Sequence, residues 1–173
     1  LAFVENALEQ GVIEKCAAYA AREHGDARRA LELLRVAGEI AEREGDTKVK
    51  IKYLDRAEEK IEKDRVIDIV STQPKQHQLV LYSIIKISQK TKKVIFTGEI
   101  YEYYKALCIE TSMRPLTQRR ISDIISEFDM LGLISGRIIS KGRYGRTREV
   151  ALSIPGDTRL KVKNILADML DNS

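Results

Sequence analysis

The chain has 173 residues, 43% of them hydrophobic and 32% charged, with a net charge of +4. That apolar share is enough for packed cores and excludes wholesale disorder, and no run reaches membrane-spanning length. The charge is uneven: residues 1–73 hold 13 basic and 16 acidic side chains, and residues 74–173 hold 17 and 10. The positive charge therefore belongs to the second half, which favours a polyanionic partner there.

In chain order, apolar spacing predicts a first helix over Glu5–Glu23, with Leu8, Val12, Ile13, Cys16, Ala17 and Ala20 inward. His24-Gly25 ends it, and Asp26 can cap a second helix to about Glu44. Its inward positions are Ala27, Ala30, Leu31, Leu34, Ala37, Ile40 and Ala41. Val49, Ile51 and Tyr53 alternate, which allows a short extended entry to a third helix from about Tyr53 to Val70. Ser71-Thr72-Gln73-Pro74 marks a boundary, because a residue before proline avoids helical angles. This divides the chain into 1–73 and 74–173.

The second part opens with a helix from Pro74 to about Gln89, a basic loop at Lys90–Lys93 and a short strand at Val94–Phe96. Thr97 caps a helix to about Thr111, and Met113–Leu116 connects tightly to another that begins after Thr117. Ile121, Ile124, Ile125, Phe128 and Leu131 recur there at helical spacing. Beyond Gly132, Ile134–Ser140 and Arg148–Ile154 read as a hairpin. Asp157 caps a last helix with Leu160, Val162, Ile165, Leu166, Met169 and Leu170 inward. Helix, short strand, two helices, hairpin and helix is the order of a winged helix with one added C-terminal helix.

Three placements of positive charge carry the functional reading. Gln118, Arg119 and Arg120 occupy the first turn of the helix after Thr117, and Arg114 lies just before it. A helix start carries partial positive charge, so arginines there are opposed unless an anion is near. A recognition helix enters the major groove with its N-terminal residues beside base edges. The hairpin tip holds Lys141, Arg143, Tyr144, Arg146 and Arg148, with Gly142 and Gly145 allowing close backbone approach. Thr117, Gln118 and these basic residues form the candidate DNA-binding set. The competing reading pairs Arg119 with Asp123 and leaves the tip merely solvated. The third placement is Arg28 and Arg29, opening a helix after Gly25-Asp26. A nucleotide phosphate held by a neighbouring domain would satisfy them, and so would a local carboxylate such as Glu32.

Catalytic and metal chemistry find no support. Neither histidine, His24 or His77, has metal-ligand neighbours, and the serines and cysteines lack a base partner. Cys16 and Cys108 read as buried thiols. No Gly-x-x-x-x-Gly-Lys-Ser/Thr string is present, so a phosphate cradle and magnesium site are not expected within this chain.

The string Gly25-Asp26-Ala27-Arg28, continued by Arg29 to Ala41, resembles the sensor-2 helix of an AAA+ ATPase lid. Cys16-Ala17-Ala18, Glu62–Val66 and the passage at Thr72-Gln73-Pro74 are similar to the same source, the archaeal origin-recognition and Cdc-type replication initiators. The resemblance implies a mainly α chain: a three-helix AAA+ lid-type bundle over 1–73, then a winged-helix (α+β) DNA-binding domain over 74–173. It implies that Arg28 is the sensor-2 arginine, touching the phosphate of ATP held with magnesium by an AAA+ core outside this chain. It also implies double-stranded origin DNA as partner, a replicative helicase as a further one, and a cytoplasmic, nucleoid-associated location. The first residue is Leu1, which suits a C-terminal part of an initiator. Two rivals stand beside this: a winged-helix transcription regulator dimerising through its N-terminal helices, and a helicase-recruiting interaction module.

Overall fold

The computed structural model describes residues 4, 6–22, 27–90, 94–140 and 146–171. The expected helix end at Glu23–Gly25, the Asp26 cap, the basic loop at 91–93 and the hairpin tip at 141–145 lie outside the described residues. The element order is α1 (Val12–Arg22), α2 (Ala27–Arg43), α3 (Ile51–Ser71), α4 (Lys75–Lys90), β1 (Ile95–Phe96), α5 (Thr97–Glu110), α6 (Gln118–Met130), β2 (Ile134–Ser140), β3 (Arg146–Leu152) and α7 (Gly156–Asp171). The chain forms two compact units, Leu1–Arg65 and Val66–Ser173.

The first unit is helical. Val12, Cys16, Leu33, Val36, Ala37, Tyr53, Leu54 and Ala57 make its core. Burying such side chains is worth about 1.5–3 kcal/mol each for the large ones. Helix α1 starts later than its spacing suggests. Gly11 adopts φ +86, a left-handed angle that interrupts a helix, and Leu8 bridges Val49 in parallel. The Val49 N–H donates to the Ala7 carbonyl at 2.8 Å and the Glu9 N–H to the Val49 carbonyl at 3.0 Å. Helix α3 accordingly begins at Ile51, with Tyr53 already inside it. Leu31 was expected inward but is 68% exposed, whereas Leu33 and Val36 are buried. Ala30, Leu34, Ala37, Ile40 and Ala41 do pack inward as their spacing predicts, so the apolar stripe of α2 keeps most of its expected positions, gains Leu33 and Val36 and loses Ala27 and Leu31.

The second unit wraps α4, α5, α6 and α7 and a three-stranded antiparallel sheet, order β1-β3-β2, around one core. Val66 and Val70, the last turns of α3, pack into this core. The unit limit therefore falls eight residues before Gln73. Ile134 pairs with Leu152 and Ser140 with Arg146, which fixes the hairpin register. Strand β3 runs from Arg146 to Leu152, two residues earlier than expected at both ends; Ile154 is buried beyond the strand. Thr97 does not cap α5. Phe96 is the N-cap position, and the Glu99 carboxylate accepts from the Phe96 N–H at 2.9 Å. Asp157 lies inside the first turn of α7, favourably placed at the positive helix end. Leu160 was expected inward and is 58% exposed, while Thr158 is buried instead.

Candidate nucleic-acid interface

Helix α6 is set by its cap and its core face. Thr117 has extended angles, and its hydroxyl accepts from the Arg120 N–H at 3.3 Å. Ile121, Ile124, Ile125 and Phe128 are buried, which turns the start of the helix outward. Thr117, Gln118, Arg119 and Arg120 are all exposed there, and the first turn holds no acidic residue.

The connection leading into α6 is fastened by polar groups. The Tyr104 hydroxyl accepts from the Leu116 N–H at 2.9 Å and donates to the Gln76 side-chain carbonyl. Gln76 Nε2 donates to the Arg114 carbonyl at 3.1 Å, and the Tyr101 hydroxyl to the Leu116 carbonyl at 3.3 Å. Tyr104 is fully buried, and burial pushes its phenol well above the ordinary tyrosine range. Helical spacing alone marks Tyr104 only as an apolar position. Its proximity to Tyr101, two hydroxyls one turn apart on a buried face, was the available signal. Arg114 remains exposed beside this anchored connection.

The arginines meet different surroundings. Arg119 makes no ion pair or hydrogen bond among the described residues; the expected competing pair with Asp123 does not form. Arg120 Nη1 lies 3.6 Å from Glu127 Oε1, with half its side chain exposed. Glu127 Oε2 is 2.9 Å from Nε2 of the buried His77. Arg148 Nη1 donates to Ser126 Oγ at 2.8 Å, so this guanidinium faces α6. Arg146 opens β3 opposite Ser140. Lys141, Arg143 and Tyr144 lie outside the described residues.

In the first unit, Arg28 and Arg29 begin α2, whose first turn has no acidic residue. Arg29 is nearly buried: it reaches Glu32 at 3.3 Å and Glu58 at 3.0 Å. The local-carboxylate reading thus describes Arg29. Arg28 is exposed at the positive helix end, where an anion is electrostatically suited. Elsewhere in this unit carboxylates are engaged. Asp55 is held below the ordinary carboxylate range by Lys15 and by the Tyr19 hydroxyl, whose own pKa is pushed up to about 12. Asp46 is lowered by Tyr53 and Lys50, and Glu44 by Arg56 and Tyr53. Cys16 and Cys108 are both buried free thiols, raised by that burial.

Residues 68–162 match the family model described as CDC6, C terminal winged helix domain, and residues 1–59 the Cdc6 AAA+ ATPase-type lid domain. The chain belongs to the Cdc6 family. This Cdc6-family chain is 52% identical over 164 residues to the ORC1-type DNA replication protein of Thermococcus onnurineus, covering 95% of the chain and 39% of that relative. It is 51% identical over 164 residues to the ORC1-type DNA replication protein 1 of Methanosarcina mazei, covering 94% and 40%. The chain thus spans about two fifths of the length of these relatives. Among solved structures it is similar to the Aeropyrum pernix ORC1 protein in complex with DNA, with 49% identity, TM-score 0.86, and coverage of 96% of this chain and 42% of that one. Drosophila ORC bound to DNA matches at TM-score 0.51 and 17% identity, over 91% of this chain and 40% of that one, a likeness of fold alone. The family assignment agrees with the resemblance carried by Gly25–Ala41, and the helical bundle and winged helix agree with the expected fold class. Among the described residues, no helix is long and apolar enough to cross a membrane.

Proposed function

We propose that this chain binds double-stranded origin DNA in replication initiation, as part of a longer AAA+ initiator. Residues 74–173 act as the DNA-binding domain and residues 1–73 as the lid. The observation that carries the reading is the exposed start of α6, where Arg119 has no partner among the described residues and three further polar or basic side chains stand beside it. Removing such a cation from water without an anion gains nothing, whereas a phosphate or a guanine edge offers it two acceptors. In this mechanism Gln118, Arg119 and Arg120 reach base edges in the major groove. Arg114 and Thr117 meet the flanking backbone. Lys141, Arg143, Tyr144 and Arg146 bring the hairpin to phosphates or the minor groove. The named relative in complex with DNA supports this reading.

No catalytic residue is assigned to this chain. ATP or ADP with magnesium belongs to the longer protein, where Arg28 would touch a phosphate and report nucleotide state to the lid. A replicative helicase is the further partner, reached once the DNA is held in a cytoplasmic, nucleoid-associated complex.

The decisive variant is Arg119→Ala. It should cost roughly 1–3 kcal/mol on an origin duplex if the side chain reads a base, and much less on random duplex. Fluorescence anisotropy on both duplexes checks this. Equal loss on the two would place Arg119 on phosphate, and no loss on either would remove α6 from the interface.

A further inference from the structure

The hairpin reaches well beyond its third strand. Strand β1 pairs with Val150 and Glu149, so the distal half of the hairpin, Ile138–Ser140 against Arg146–Arg148, has no strand beyond β3 among the described residues. A two-stranded ribbon is only marginally stable by itself and holds no fixed angle. Two polar contacts tie the hairpin to α6, one at Gly136 within the three-stranded part and one at Arg148 in the distal half. The Asp129 carboxylate accepts from the Gly136 N–H at 3.2 Å, and Arg148 donates to Ser126 Oγ at 2.8 Å. Ser126 in turn donates to the Ser122 carbonyl at 3.0 Å, so its hydroxyl is fixed by its own helix. Gly136 completes the arrangement: a Cβ there would lie 3.0 Å from Arg148 Cδ and 3.0 Å from Asp129 Oδ2. Those distances are too close for any side chain without a shift. A further link of this half is the Thr97 and Thr147 hydroxyl contact at 3.5 Å, toward α5.

We infer that Asp129, Ser126 and Arg148 are positioning residues that lock the hairpin to α6, so that the helix start and the hairpin strands meet one duplex at a set spacing. The inference rests on the DNA reading above but assigns Arg148 a different task, acting through Ser126 and not on a phosphate. A rigid connection makes the second contact effectively intramolecular once the first has formed. Loosening it lowers affinity without removing any group that touches DNA.

Ser126 carries no charge, which makes the test sharp. The probe is an origin duplex, titrated with salt against wild type, Ser126→Ala, Arg148→Ala, the double variant and Arg119→Ala. Thermal unfolding of each variant checks that it is folded; alanine is well suited to a helix position such as 126. Each single change should weaken binding several-fold, and the double variant should be no weaker than the worse single one. Ser126→Ala should also make the salt slope shallower by about one unit, because displaced hairpin cations leave their phosphates. A purely local role for Ser126 cannot change that slope. The inference is overturned if Arg148→Ala lowers the slope while Ser126→Ala leaves affinity and slope unchanged, since Arg148 then touches phosphate directly. It is equally overturned if neither change matters while Arg119→Ala weakens binding. Should Arg119→Ala also have no effect, the DNA reading beneath it falls as well.

Discussion

Arg119 and Arg120 are sequence neighbours at the start of α6, yet among the described residues only Arg120 has a carboxylate near it. That exposed pair at 3.6 Å contributes little to stability, since exposed ion pairs are worth about 0–1 kcal/mol. Neither arginine therefore adds much to folding stability through an ion pair. At α2 the two arginines differ in exposure, with Arg29 folded onto Glu58 and Arg28 exposed. In the longer initiator, Arg28→Ala should weaken nucleotide binding or its coupling to DNA while leaving DNA affinity without nucleotide unchanged. Titration with a fluorescent ATP analogue and with origin duplex measures both. Unchanged nucleotide affinity and coupling would remove the sensor assignment. The sequence showed where these arginines sit along the helices. Glu32 is a legible partner for Arg29, but Glu58, 29 residues from Arg29, and Ser126, 22 from Arg148, are not.

At the scale of elements, local chemistry was the better guide. Thr117 caps α6 as its hydroxyl predicts, and β2 occupies Ile134–Ser140 as its boundaries suggested. The misplacements share a cause: tertiary contact overrode local preference. Leu8 leaves the helical pattern to bridge Val49, and Glu99 takes the capping task expected of Thr97. The tight connection before α6 is legible in the sequence but its polar fasteners are not, because Gln76, Tyr101 and Tyr104 lie 12 to 38 residues from the groups they hold. Tyr104→Phe should therefore cost about 1–2 kcal/mol, leaving the Leu116 N–H without its acceptor. Urea unfolding of the variant tests this; stability equal to wild type would show that the connection is held without that hydroxyl.

At the scale of the whole molecule, the two units differ in charge and in how their polar groups are used. Residues 1–73 carry an acidic excess, and Asp46, Asp55 and Glu44 are held below the ordinary range by hydroxyl and cationic partners. Such depressed carboxylates stabilise the folded state above their unfolded pKa, about 4, and that stabilisation is lost as pH falls through the lower folded values. Denaturant unfolding at pH 7 and pH 3 should show this loss, and Asp46→Asn should reduce the difference between the two. An unaltered difference would mean that Asp46 is not among the responsible groups. Residues 74–173 carry the basic excess, and there the cations at the start of α6 face outward. The central claim is that this surface exists to hold duplex DNA, and the most direct test is salt-titrated binding of an origin duplex beside a scrambled duplex of equal length. The account predicts tighter binding to the origin, with log K falling linearly against log salt for both duplexes. Equal affinity for the two would contradict origin recognition, and no binding to either at low salt would contradict the nucleic-acid account altogether.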